Sequence, residues 1–100
     1  MQVFAALADE TRLRIVDELA KGEKPVGALV KRFDLTQPTI SQHLKVLKDA
    51  GIVRVRPDAQ RRLYSIDPGG FRVIELWLER HRRTWAKRLV RLEQHMDDNP

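Results

Sequence analysis

The stretch from Thr36 to Ile66 changes its hydrophobic period half-way, and that change constrains the fold more than any other feature. Ile40, Leu44 and Leu47 recur at spacings of four and three, which is one face of a helix. Thr36 is a good N-cap, Pro38 is tolerated in a first turn, and Gly51 is a stop, so the pattern predicts a helix over Gln37–Ala50. Beyond Gly51 the chain turns to β-formers: Ile52, Val53 and Val55 interleave with Arg54 and Arg56. Pro57-Asp58-Ala59-Gln60 reads as a turn, and Arg61–Ile66 as a returning strand with Tyr64 and Ile66 on one face. A helix running directly into a two-stranded, arginine-bearing hairpin needs other helices to cover its apolar stripe.

The flanking sequence supplies them. Val3, Phe4 and Leu7 stand at helical spacing in a short first segment. Asp9 is placed to cap a helix over Glu10–Lys21, with Leu13, Val16, Leu19 and Ala20 as its apolar face and Gly22 as its stop. Pro25 suits the first turn of a third helix, Val26–Phe33, with Ala28, Leu29 and Phe33 facing inward. Asp34-Leu35 is then a short turn. After the punctuation of Pro68-Gly69-Gly70, a long helix over Phe71–Met96 is expected. Phe71, Ile74, Leu78, Trp85, Leu89, Leu92 and Met96 fall within about 40° of one line on it. Val73, Leu76 and Trp77 widen the apolar surface of its first turns, where the helix should pack on its own domain. Asp97–Pro100 are expected to fray. The predicted fold is mainly α with a small β-hairpin wing: four helices, two strands and a helix in a single domain over residues 1–100, a winged helix-turn-helix.

Charge narrows the function. The chain carries a net +5, and the excess is local. Residues 1–35 are neutral, whereas residues 36–66 hold a net +4 through Lys45, Lys48, Arg54, Arg56, Arg61 and Arg62 against Asp49 and Asp58. A basic middle third points to a polyanion. With no cysteine, disulfides and thiolate metal sites are excluded. No apolar run is long enough to span a bilayer, and the stretch Met1–Leu7 lacks a charged signal-peptide start, so a cytoplasmic location without membrane association is expected. An enzyme is not expected either: there is no G-x-S-x-G, no glycine-rich phosphate loop and no evident acid–base pair, and nothing calls for a cofactor.

The residues around the change of period suit duplex DNA. Opposite Ile40 on the fourth helix stand Pro38, Ser41, Gln42, Lys45 and Asp49, with Gln37 and Thr39 at its start. Gln can contact adenine bidentately, Ser is permissive, and Lys reaches guanine or phosphate. The free N–H groups of the helix start favour phosphate. An ordinary solvated helix face would carry similar residues, and it is the adjoining hairpin that turns the balance. Crowded arginines at Arg54, Arg56, Arg61 and Arg62 repel one another unless an anion neutralises them, and a DNA backbone or minor groove supplies one. Arg56, Arg61 and Arg62 are the candidate wing contacts. His43 lies about 60° from the core line, at the helix margin, where it can pack, bond or meet a phosphate.

Three segments carry a resemblance to a known family: Phe4-Ala5-Ala6-Leu7-Ala8-Asp9-Glu10-Thr11-Arg12-Leu13-Arg14-Ile15, Leu35-Thr36-Gln37-Pro38-Thr39-Ile40-Ser41-Gln42-His43-Leu44-Lys45-Val46-Leu47 continuing to Ala50-Gly51-Ile52-Val53, and Arg61-Arg62-Leu63-Tyr64-Ser65-Ile66. In these the chain resembles the ArsR/SmtB family of bacterial repressors over residues 3–96. The resemblance implies a homodimer held by the first and last helices, through Val3, Phe4, Leu7, Ile74, Leu78, Trp85, Leu89 and Leu92. It implies binding to a double-stranded DNA operator in the bacterial nucleoid, with Gln37, Thr39, Ser41 and Gln42 carried over as recognition residues beside His43, and release by an inducer. Where some members of the family hold a metal with cysteines, this chain has Pro25-Val26-Gly27-Ala28-Leu29-Val30 and no ligand. Of a second family site on the last helix it keeps Glu79, His81 and His95, but Leu92 cannot ligate. The reading is therefore a repressor without a metal. The alternatives are a metal-responsive repressor with an irregular site on the last helix, and a winged-helix protein-interaction module.

Overall fold

A computed structural model describes residues 2–98, and their side chains through Met96. The chain forms α1 (Gln2–Leu7), α2 (Glu10–Leu19), β1 (Lys24–Pro25), α3 (Val26–Phe33), α4 (Gln37–Asp49), β2 (Val53–Asp58), β3 (Arg61–Ile66) and α5 (Pro68–Asp98). The caps fall where side-chain chemistry puts them. Asp9 accepts from the backbone N–H of Arg12 at the start of α2, and Thr36 accepts from that of Thr39 at the start of α4. Gly51, at φ 79°, takes the left-handed turn that ends α4 and opens the sheet.

The core gathers Val3 and Ala6 of α1, Ile15, Val16 and Leu19 of α2, Leu29 of α3, Ile40, Leu44 and Leu47 of α4, and Ile52 and Val53. The stripe of α4 is fully buried, as its spacing requires. In α2 the buried face is rotated from the expected one: Ile15 is enclosed, while Leu13 is 47% exposed and Ala20 lies at the surface. Two overlapping stripes share Val16 and Leu19. Packing against α4 and β3 selects the one containing Ile15, and Leu13 sits about 160° from Ile15.

The sheet has three strands rather than two, in the antiparallel order β1-β3-β2. Lys24 pairs with Tyr64 and Pro25 with Leu63. Pro25 is thus the residue preceding α3 rather than part of it, with extended backbone. Leu63, which pairs with Pro25, is buried, and by strand alternation it projects from the face opposite Tyr64 and Ile66. β2 also runs through Pro57 and Asp58, leaving only Ala59 and Gln60 as the loop. Pro57 is tolerated because β2 is an edge strand, where a missing N–H breaks no ladder. Ala59 carries the positive φ, 56°, that a two-residue hairpin loop demands.

The last helix starts three residues earlier than its apolar pattern. Pro68 occupies the first helical position, where it lacks only an N–H that would be unpaired, and the Asp67 carboxylate accepts from the backbone N–H of Gly69 at 2.9 Å. Gly70 is buried against the α4–β2 junction, and a Cβ there would run into the Gly51 carbonyl group. At the other end Asp97 and Asp98 are helical rather than frayed, and 99–100 lie outside the described residues. The Cα radius of gyration is 18.4 Å with a longest extent of 64 Å, against about 13 Å for a compact chain of this length. The excess is α5, whose outer half projects from the head.

Candidate nucleic-acid interface

Burial of Ile40, Leu44 and Leu47 turns the opposite side of α4 outward. Gln37, Thr39, Gln42 and Lys45 are exposed, and Ser41 and His43 are half-buried. Thr36 fixes the start of this face, its hydroxyl bonding that of Thr39 at 2.8 Å. A depression of about 410 Å³ runs between the start of α4, the start of α3 and the wing, and Gln37, Gly27, Gln60, Arg61 and Arg62 line it. The helix and the wing, separate elements in sequence, thereby border one concave surface.

The wing arginines differ in their partners. Arg61 pairs with Asp58 across the hairpin at 3.3 Å. Arg56 makes a two-point contact with Glu23: Nε donates to Oε2 at 3.0 Å and Nη2 to Oε1. Arg54 and Arg62 make no ion pair among the described residues. The hydrogen bond from Arg56, together with the charges of Arg56, Arg54 and Arg61, holds the Glu23 carboxyl below its ordinary 4.5. Glu23 was not among the candidate residues. It stands 33 positions from Arg56, and no local pattern links the two; only the pairing of β1 with β3 brings its loop beside the wing.

A second group surrounds His43. Arg12 Nη1 donates to His43 Nδ1 at 3.3 Å, and Arg12 Nε donates to the Ala6 carbonyl at 2.5 Å. One side chain of α2 so joins α1 to α4. The backbone bond from Arg12, with the nearby Arg12 charge, keeps the Asp9 carboxyl below its ordinary 3.8. The signal for Arg12 is its place on α2, about 60° from Ile15, on the helix's inward side.

Of the residues expected at a dimer contact, Val3 is buried in the chain's own core, Leu7 and Ile74 are half-buried beside it, and Phe4 is half-buried. Leu78, Trp85, Leu89 and Leu92 lie exposed along α5, the last two by 60% and 54%. Phe4 meets Trp77 edge-on at 5.1 Å, and Trp77, His81 and Trp85 form a triangle of mutually contacting rings, His81 nearly parallel to Trp85. Glu79 borders a groove with Leu78 and Trp85, and His95 is exposed. Among the described residues of one chain, no three His, Cys, Asp or Glu side chains gather as metal ligands. Among them, too, no helix is long and apolar enough to cross a membrane.

Comparison with known proteins agrees with this architecture. The model for "bacterial regulatory protein, arsR family" matches residues 9–55, which include α2, α3 and α4. The HTH-type transcriptional regulator Rv2034 of Mycobacterium tuberculosis is 41% identical over 96% of this chain and 87% of its own length. The transcriptional repressor SdpR of Bacillus subtilis is 35% identical over 65% of this chain and 72% of its own. Among solved structures, the homodimeric winged helix-turn-helix DNA-binding domain Mb0332 of Mycobacterium bovis, an NMR structure, superposes with a TM-score of 0.66 at 32% identity. The match covers 80% of this chain and 78% of that one. These relatives are regulators of transcription, not enzymes. The chain belongs to the ArsR family of bacterial regulatory proteins, as a DNA-binding transcription regulator with a winged helix-turn-helix fold.

Proposed function

We propose that this chain is a homodimeric repressor acting in the bacterial cytoplasm, that it reads a palindromic operator with α4 while the wing grips the backbone, and that no thiolate-bound metal releases it. The observation that carries this reading is the shared concave surface, where Gln37 of α4 meets Arg61 and Arg62 of the wing. Gln37, Thr39, Ser41, Gln42 and Lys45 are the groove-facing residues, with His43 at their margin. Arg61 and Arg62 contact phosphates, and Arg56 joins them on leaving Glu23. Residues 1–100 both read and pair, as one domain.

Pairing is supported by the exposed stripe of Leu78, Trp85, Leu89 and Leu92, which a two-fold mate would cover together with Ile74 and the α1 surface of Val3, Phe4 and Leu7. The homodimeric Mycobacterium bovis neighbour supports the same assembly, and the Bacillus subtilis relative supports repression. Two-fold symmetry then requires two half-sites about one helical turn apart, or a multiple of it. Independence from thiolate metals follows from the lack of cysteine, and Leu92 breaks the ligand pattern on α5.

Base contacts discriminate, whereas phosphate contacts add affinity without choosing sequence. Gln42→Ala should therefore lose about 1–3 kcal/mol on the operator and little on random duplex. Arg61→Ala combined with Arg62→Ala should weaken both duplexes alike, each lost phosphate contact lowering the salt slope by about 0.9. Fluorescence anisotropy on duplexes from the protein's own promoter and on scrambled controls, at several salt concentrations, measures both. A wild-type protein that prefers no promoter duplex rejects the reading.

A further inference from the structure

From the contact between α2 and α4, which rests on the operator reading above, we infer that Arg12 is a positioning residue for DNA binding: it sets the tautomer of His43 so that the ring presents an N–H to a backbone phosphate. A guanidinium has donors and no acceptor, and it stays charged. The 3.3 Å contact with Arg12 therefore makes His43 Nδ1 the acceptor. A neutral imidazole accepting at Nδ1 carries its proton on Nε2. The second nitrogen points away from Arg12 across the ring. It has no partner among the described residues, and no side-chain nitrogen or oxygen there is both buried and unpartnered, so Nε2–H is not fully enclosed. His43 follows the exposed Gln42 by one position and precedes the exposed Lys45 by two, at the edge of the groove-facing side. An outward N–H in that place suits a phosphate oxygen.

Arg12 is itself held. Its Nε bonds the Ala6 carbonyl, and its backbone N–H bonds Asp9 at 3.0 Å. The backbone bond survives any change of side chain, so the cap of α2 persists in Arg12 variants. The bond to Ala6 does not, and its loss could disturb α1 and hence assembly. A double-mutant cycle removes that ambiguity.

Four proteins are compared as full chains on operator and scrambled duplex: wild type, Arg12→Met, His43→Gln and the double variant. In His43→Gln the amide nitrogen stands near the place of Nε2 and needs no tautomer to be set. Arg12→Met should lose about fourfold in affinity on both duplexes, about twofold for each of the two His43 rings whose competent tautomer falls to half. His43→Gln should stay within about twofold of wild type, and adding Arg12→Met to it should lose nothing further. In parallel, ¹⁵N NMR of the imidazole should find His43 protonated at Nε2 in the wild type and as a mixture of tautomers in Arg12→Met. If Arg12→Met costs the same in the wild-type and His43→Gln backgrounds, Arg12 belongs to the scaffold and the inference is overturned; an unchanged tautomer overturns it as well. Wild-type binding to no duplex overturns the operator reading and this inference together. Operator binding by Arg12→Met at wild-type affinity overturns this inference alone.

Discussion

The head around α4 and the outer half of α5 are made of the same kind of side chain, with opposite outcomes. Leu44 and Leu47 are sealed, whereas Leu89 and Leu92 are more than half exposed. Both pairs sit on regular helical stripes. In the head, α1, α2, α3 and the sheet close over the stripe, and no buried polar side-chain atom among the described residues lacks a partner. Along α5 only the first turns find cover, through Phe4 and the core contacts of Phe71 and Ile74. Periodicity thus shows which face seeks burial and leaves open whether the same chain supplies the covering surface.

The contrast can be attacked at its exposed end first. Under the proposed assembly, Leu78→Glu acts twice at a two-fold interface. It loses about 1.5–3 kcal/mol of apolar burial in each copy, and burying a carboxylate adds to that. Sedimentation should find monomers with an unchanged helical far-UV spectrum; a wild-type monomer at micromolar concentration refutes the assembly.

Leu44→Ala, in the sealed head, should destabilise folding by about 2–5 kcal/mol at any protein concentration. Leu89→Ala should instead give a loss that grows as concentration rises, because only a partner covers it. Equal, concentration-independent losses in urea titrations would erase the distinction.

Acid provides a gentler test. Asp9, Glu18 and Glu23 all have carboxyls held below their ordinary values of 3.8, 4.5 and 4.5, Glu18 chiefly by its hydrogen bond from Lys21. Their contribution is present above those ordinary values and is lost as pH falls through the lowered ones. Melting temperature should therefore decline below about pH 4.5, and less steeply in Glu23→Gln.

The smallest effect belongs to the wing. Ala59→Gly should stabilise by about 0.5–1 kcal/mol, because glycine adopts the positive φ without a Cβ clash. No gain in thermal melting would mean that the hairpin loop is unstrained.

The α4 stripe was legible in sequence because three leucine-sized residues at spacings of four and three fall on one helical face. So were the caps at Asp9 and Thr36, whose side chains act within three residues. The face of α2 was ambiguous, since Val16 and Leu19 belong to two stripes and only tertiary packing chose between them. A two-residue strand such as β1 has no period to read. Its existence depends on β3, nearly 40 residues away. Long-range polar contacts escaped for the same reason: Arg56 read as a free wing charge until the fold brought Glu23 beside it, and Arg12 meets His43 across 31 positions that no local pattern links.

The close approach at Gly70 has a mechanical consequence. With the start of α5 pressed on the backbone of Gly51 and Ile52, the strut that would join two protomers leaves from the same point at which the reading helix ends. The angle between the two is then fixed by contacting main chains, with no flexible linker between them. In a dimer built on α5, the separation of the reading helices is a rigid dimension of the molecule, like the gap of a caliper. A side chain forced in at position 70 would reset that gap and change which spacing of half-sites fits, while leaving the bases read at each half-site the same.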